Sequence, residues 1–170
     1  TQTALLTNEL GRYADGDLIA AWQESAQRTI EWSRTHRAQA IVISKADRVL
    51  SLYKNGRKIL TYPIRLGSKG IRAKQHYADG ATPEGEYRIH RKRGSGQTPY
   101  FRALILDYPN ADDRRRFEAA QQSGLIPKNQ HMPGLIQLHG IAQGITDQPY
   151  GSILLDNPQI AVLFDHVSVG

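Results

Sequence analysis

His139 closes the apolar run Leu135-Ile136-Gln137-Leu138 and is followed by Gly140. Thirteen positions further on, Ser152 follows Gly151 and opens a second apolar run, Ile153-Leu154-Leu155. A strand-end histidine can meet a residue at the start of the next element, so this spacing permits an imidazole and a hydroxyl to touch. A hydroxyl becomes a nucleophile where a well-placed base takes its proton. A serine hydroxyl needs a better base than a thiol does, and a Ser–His pair usually needs an acceptor that orients the ring. Asp147 and Asp156 are the carboxylates nearby in sequence. Taken without its surroundings, His139 reads as a strand-end histidine hydrogen-bonded to backbone. His76, His90 and His131 have no spacing that makes a metal site, and no HExxH-like pair exists. His131 lies just before the His139 strand, where it could line a pocket. No phosphate-cradling glycine loop and no dinucleotide fingerprint occur. Neither a cofactor nor a metal is expected.

The elements that must position these residues follow from periodicity. Residues 1–16 read as a loose lead-in, with Gly11 and Gly16 as breakers. Asp17 is placed to cap a helix reaching about His36, with Leu18, Trp22, Ala26, Thr29 and Ile30 at helical spacing. From Ala40 the period changes to that of strands. Ile41–Ile43 and Val49–Tyr53 are joined at Ala46-Asp47, and Asn55-Gly56 is the strongest hairpin signal, leading to a return strand over 58–66. Residues 67–85 read as a loop. Glu86–Arg93, Phe101–Asp107 and Leu135–His139 read as further strands. Ala111–Ser123 reads as a helix with Asn110 as cap and Gly124 as stop, and Pro158 opens a last helix through about His166. The run Arg114-Arg115-Arg116 reads as a solvated helix face. The result is one mainly β domain of antiparallel and mixed sheets, with an N-terminal helix and late helices. Residues 1–38 form its lead-in and 39–170 its body.

Composition narrows the class. At 170 residues, 39% of them hydrophobic and 22% charged, the chain has the make-up of a globular domain. No run approaches the roughly 18 apolar residues of a membrane span. The absence of cysteine excludes disulfides and thiolate chemistry. The net charge of +6 suits an acidic partner. Nucleic acid is disfavoured, because the basic residues are scattered and no nucleic-acid motif interleaves them with aromatics.

Several blocks, in order, resemble the L,D-transpeptidases (the YkuD family). They are the opening hairpin and return strand over 41–67, Asp79-Gly80-Ala81-Thr82-Pro83-Glu84-Gly85-Glu86-Tyr87, and Leu106-Asp107-Tyr108-Pro109-Asn110 followed by Asp113-Arg114. Ile136-Gln137-Leu138-His139-Gly140 and Gly151-Ser152-Ile153, leading to Asn157, complete the set. The 106–114 block is similar to the Gram-negative branch. Thr82-Pro83-Glu84-Gly85 also has a plain structural reading, a stiffened turn that enters a strand.

The resemblance implies a β-sandwich that acts on peptidoglycan stem peptides by acyl transfer in the periplasm or cell envelope, a signal peptide having been removed. The roles it implies are Ser152 as nucleophile where the family has cysteine, His139 as base and Gly151 in the oxyanion turn. Gly140, Tyr150, Asp147 and His131 would lie against substrate, the two glycines letting backbone approach it closely. The chain departs from the family pattern at Ser152 and at Gln148-Pro149-Tyr150, where the family carries Ser or Thr. The departures leave a second reading open: a catalytically silent or re-purposed module that binds an envelope polymer or a protein.

Overall fold

Helix α1 (Gly16–Thr35) starts where a carboxylate meets the first unpaired N–H groups. Its cap is Asp15, not Asp17: the Asp15 Oδ1 accepts from the N–H groups of Asp17 at 3.0 Å and Leu18 at 3.1 Å. Residues 10–12 are already helical, so Gly11 does not break the chain there. The computed structural model describes residues 10–132, 134–142 and 150–170. These fall into two compact units, divided between Pro63 and Ile64.

In the first unit, β1 (Gln39–Ser44), β2 (Val49–Lys54) and β3 (Arg57–Pro63) make an antiparallel sheet in sequential order. The β2–β3 turn is the expected type I′ hairpin: Asn55 and Gly56 have φ of 52° and 76°. The Gly56 N–H donates to Ser33 Oγ of α1 at 2.9 Å, which docks the hairpin tip against the end of the helix. Leu50 and Leu52 of β2 are fully buried. The return strand stops at Pro63 rather than Leu66, because proline has no N–H to continue a ladder.

The second unit, Ile64–Gly170, holds β4 (Ile89–Arg93), β5 (Ala103–Leu106), β6 (Gln137–His139) and β7 (Ile153–Leu154), hydrogen-bonded in that order. The pairings β4–β5 and β5–β6 are antiparallel, and β6–β7 is parallel. Ala103, Leu104 and Ile105 are all buried, so both faces of β5 are covered. Helix α2 (Ala111–Gln122) opens with a capping box. Asn110 Oδ1 accepts from the N–H groups of Asp112 and Asp113, and Asp113 Oδ2 accepts from the Asn110 N–H at 3.0 Å. Arg115 pairs with Asp112 and Arg116 with Asp113, both arginines staying exposed. Helix α3 (Asn157–His166) carries Pro158 in its first turn and buries Ile160 and Leu163. The architecture is thus antiparallel and mixed sheet with helices at both ends of the chain.

Candidate active site

The parallel β6–β7 ladder sets the site. Leu138 pairs with Ile153 and His139 with Leu154, so Ser152 falls beside Gln137. The Gln137 N–H donates to Ser152 Oγ at 3.1 Å. A backbone N–H aimed at an oxygen favours its anionic form and leaves the hydroxyl hydrogen to be donated elsewhere. Ser152 is 6% exposed and His139 1%.

The imidazole of His139 is fixed twice. Its Nδ1 lies 2.8 Å from the Gly140 carbonyl oxygen, which can only accept, so Nδ1 carries a hydrogen and Nε2 is the basic nitrogen of the neutral ring. The Gly140 carbonyl thereby fixes both the tautomer and the orientation of the ring. Tyr100 stacks on the ring, with centroids 3.6 Å apart and planes 20° from parallel.

The turn before Ser152 is held through its carbonyls. Gly151 has φ +91°, and a Cβ there would overlap the Ala81 carbonyl oxygen and stand 2.6 Å from its carbon. The Gly151 carbonyl accepts from Thr82 Oγ1 at 2.8 Å, and the Tyr150 carbonyl accepts from Lys74 Nζ at 3.1 Å. Lys74 is paired with Asp79 at 2.8 Å, their side chains 3% and 12% exposed. The other Asp79 bonds come from the N–H groups of Gln75, His76 and Ala81. Burial raises the Asp79 carboxyl pKa, but the Lys74 ammonium and these three N–H groups outweigh it and leave the group below its ordinary value. In a trans peptide the N–H points away from the C=O. Pinning the carbonyls of Tyr150 and Gly151 therefore aims the N–H groups of Gly151 and Ser152 the other way. Both residues are buried, and neither N–H has a hydrogen-bond partner among the described residues. Buried unpaired N–H groups are rare, and two in succession can hold an anion.

The remaining sequence candidates fall as follows. At Gly140 a Cβ would overlap Asn157 Oδ1 and stand 3.1 Å from Ile160 Cγ2, so at both glycines the protein's own atoms occupy the space. The Asn157 Oδ1 accepts the Ile141 N–H at 2.7 Å. Tyr150 is exposed, its ring centroid 4.9 Å from that of Tyr77. His131 is exposed and takes part through its backbone, accepting the Tyr77 N–H at 3.3 Å. Asp156 pairs with Arg65 at 2.9 Å on the surface. Asp147 lies outside the described residues, as do Gln148 and Pro149. Sequence reasoning gave no role to Lys74, Asp79 or Tyr100. It read the Thr82 block as a turn, without the bond to Gly151 that lies 69 positions away. The block's match to the family order was the one available signal.

A model of the YkuD L,D-transpeptidase catalytic domain matches residues 38–170. The chain belongs to this family. The protein Putative L,D-transpeptidase YafK of Escherichia coli K12 is 36% identical over 78 residues, which cover 44% of this chain and 32% of that protein. The matched stretch thus spans about a third of the curated relative's length. Among solved structures, Bd1075 of Bdellovibrio bacteriovorus covers 80% of this chain and 46% of its own, with a TM-score of 0.58 and 24% identity, a likeness of fold. L,D-transpeptidase 1 of Mycobacterium tuberculosis is 19% identical with a TM-score of 0.44, over 78% of this chain and 58% of that one.

Proposed function

We propose that the protein is an acyltransferase of the cell envelope that acts on peptidoglycan stem peptides, with Ser152 as nucleophile and His139 as base. The observation that carries this reading is the pair of N–H groups of the buried Gly151 and Ser152, unpartnered among the described residues, beside the Ser152 hydroxyl, with the oriented His139 imidazole on the neighbouring strand. In the first step His139 Nε2 takes the Ser152 proton while Oγ bonds to a stem-peptide carbonyl carbon. The carbonyl electrons move onto oxygen, where the two N–H groups hold them. Collapse expels the amine, which takes the proton back from His139 and leaves an ester on Ser152. An acceptor amine then attacks the ester, His139 again moving the proton, and Ser152 is restored. The exposed Tyr150 and the segment at His131 flank the entrance on this reading, and a periplasmic setting after signal-peptide removal is part of it. Family membership supports that setting. No helix among the described residues is long and apolar enough to cross a membrane.

Intact mass spectrometry after incubation with muropeptides tests the proposal. Wild type should gain an adduct that maps to Ser152 and is absent in Ser152→Ala. Ser152→Cys should acylate faster, because a thiol is the stronger nucleophile at neutral pH. No adduct on either form would sink the acyl-transfer reading.

The second reading, a silent binding module, is favoured by the depth of the pair, Ser152 and His139 being 6% and 1% exposed. A net charge of +6 suits an acidic polymer on either reading. Pulldown with purified sacculi separates them. Equal binding by wild type and Ser152→Ala, with no turnover, supports the module.

A further inference from the structure

A buried ion pair is seldom a source of net stability, because desolvation of two charges offsets their attraction. Lys74–Asp79 is such a pair, and it sits at the reactive turn. Asp79 is saturated by one ammonium and three backbone N–H groups, which ties down the segment from 74 to 81. Lys74 then spends a second N–H on the Tyr150 carbonyl, 76 positions away in sequence and two residues before Ser152. Its side chain is 3% exposed, whereas the Tyr150 end of the bond lies at the surface.

We propose that Lys74, moored by Asp79, is a positioning residue of the site: it fixes the Tyr150–Gly151 peptide plane and so aims the Gly151 N–H at the place where an oxyanion forms. Thr82 does the same for the next plane through the Gly151 carbonyl. Tyr150 is exposed and precedes a glycine at φ +91°. Without the ammonium that peptide is free to rotate, because glycine tolerates the alternatives. The kinetic consequence rests on the acyl-transfer reading; the geometric consequence does not.

The test uses the full chain in the Ser152→Cys background, with Lys74→Met, Lys74→Arg and Asp79→Asn. Single-turnover acylation by muropeptides is followed by mass. Lys74→Met should lower the limiting rate roughly 100-fold, the effect of losing one oxyanion donor, with the half-saturating concentration unchanged. Lys74→Arg should recover most of the rate, because a guanidinium can still reach both acceptors. A limiting rate equal to the parent's, or a loss seen only in half-saturation, overturns the proposal. Independently of any activity, the Tyr150 carbonyl ¹³C resonance should move upfield in Lys74→Met, with a matching change at the Gly151 amide ¹⁵N. Unchanged resonances overturn the proposal. If the parent never acylates, the acyl-transfer reading falls alone and the resonances still decide the role of Lys74. If Lys74→Met does not fold, Asp79→Asn, which unmoors the ammonium at constant size, should show the same rate loss and the same direction of shift.

Discussion

Replacing Gly151 by alanine separates two costs that usually come together. At φ +91° any L-residue is strained, by about 1–2 kcal/mol. The added methyl also overlaps the Ala81 carbonyl oxygen and lies 2.6 Å from its carbon and 3.2 Å from the Thr82 nitrogen. Those are backbone atoms, which cannot swing aside as a side-chain tip can, so relief requires moving the 81–82 segment at a further cost of about 1–3 kcal/mol. Gly96 supplies the control. Its φ is +83°, and a Cβ there meets nothing within 4 Å, so Gly96→Ala carries the strain alone. Urea unfolding should therefore give a loss of about 1–2 kcal/mol for Gly96→Ala. For Gly151→Ala it should give roughly 2–5 kcal/mol, with loss of Ser152 acylation. Far-UV circular dichroism is the suitable signal, because Trp22 and Trp32 both lie in α1 of the other unit and their emission reports that unit. Equal losses for the two variants would refute the close packing of Ala81 against the turn before Ser152.

Other outcomes follow from the same geometry. The Asp79 carboxyl titrates below its ordinary value near 3.8, so just below that value the unfolded chain binds more protons and stability falls as pH falls through the folded-state value. Asp79→Asn should flatten this acid limb in urea titrations between about pH 2 and 4. At neutral pH it should cost about 3 kcal/mol, by leaving the buried Lys74 ammonium unpaired. Tyr87 donates to Asp113 Oδ1 at 3.0 Å, and burial first, then the Asp113 charge, pushes its phenol well above the ordinary value. Tyr87→Phe should cost about 1.5–3 kcal/mol in thermal or urea unfolding. Neutral His139 should show the Nδ1–H tautomer in long-range ¹H–¹⁵N spectra, and an Nε2–H tautomer would contradict its bond to Gly140. Arg115→Ala, on the exposed face of α2, should change stability by less than about 0.5 kcal/mol.

Features governed by neighbours in the chain were legible in the sequence. Asn55-Gly56 announced a turn that needs two positive φ values, and Asn110 announced a cap whose partners are two and three residues on. The Asp15 cap was misassigned to Asp17 because both carboxylates precede the same periodic stripe, and only the bonds to the Asp17 and Leu18 N–H groups distinguish them. His139 and Ser152 were singled out because the family order flags them. The residues that hold them were hidden for one reason. Lys74 reaches Tyr150 across 76 positions, Thr82 reaches Gly151 across 69, and Tyr100 meets His139 through a stack that leaves no periodic trace. Such contacts are made by topology, and no local pattern encodes them.

The parallel pairing of β6 with β7 has a consequence for how this protein can vary. Parallel neighbours cannot be joined by a tight turn, and the chain must travel back along the sheet, which takes a dozen or more residues. Between His139 and Ile153 there are thirteen. The connection is therefore close to its minimum, and its length is bounded from below by the sheet rather than by the chemistry. Deletions there would pull Ser152 out of register with Gln137, whereas insertions cost little, because closure entropy grows only slowly with length. Variants of this segment are thus free to grow in one direction only, by lengthening the stretch that leads into Ser152.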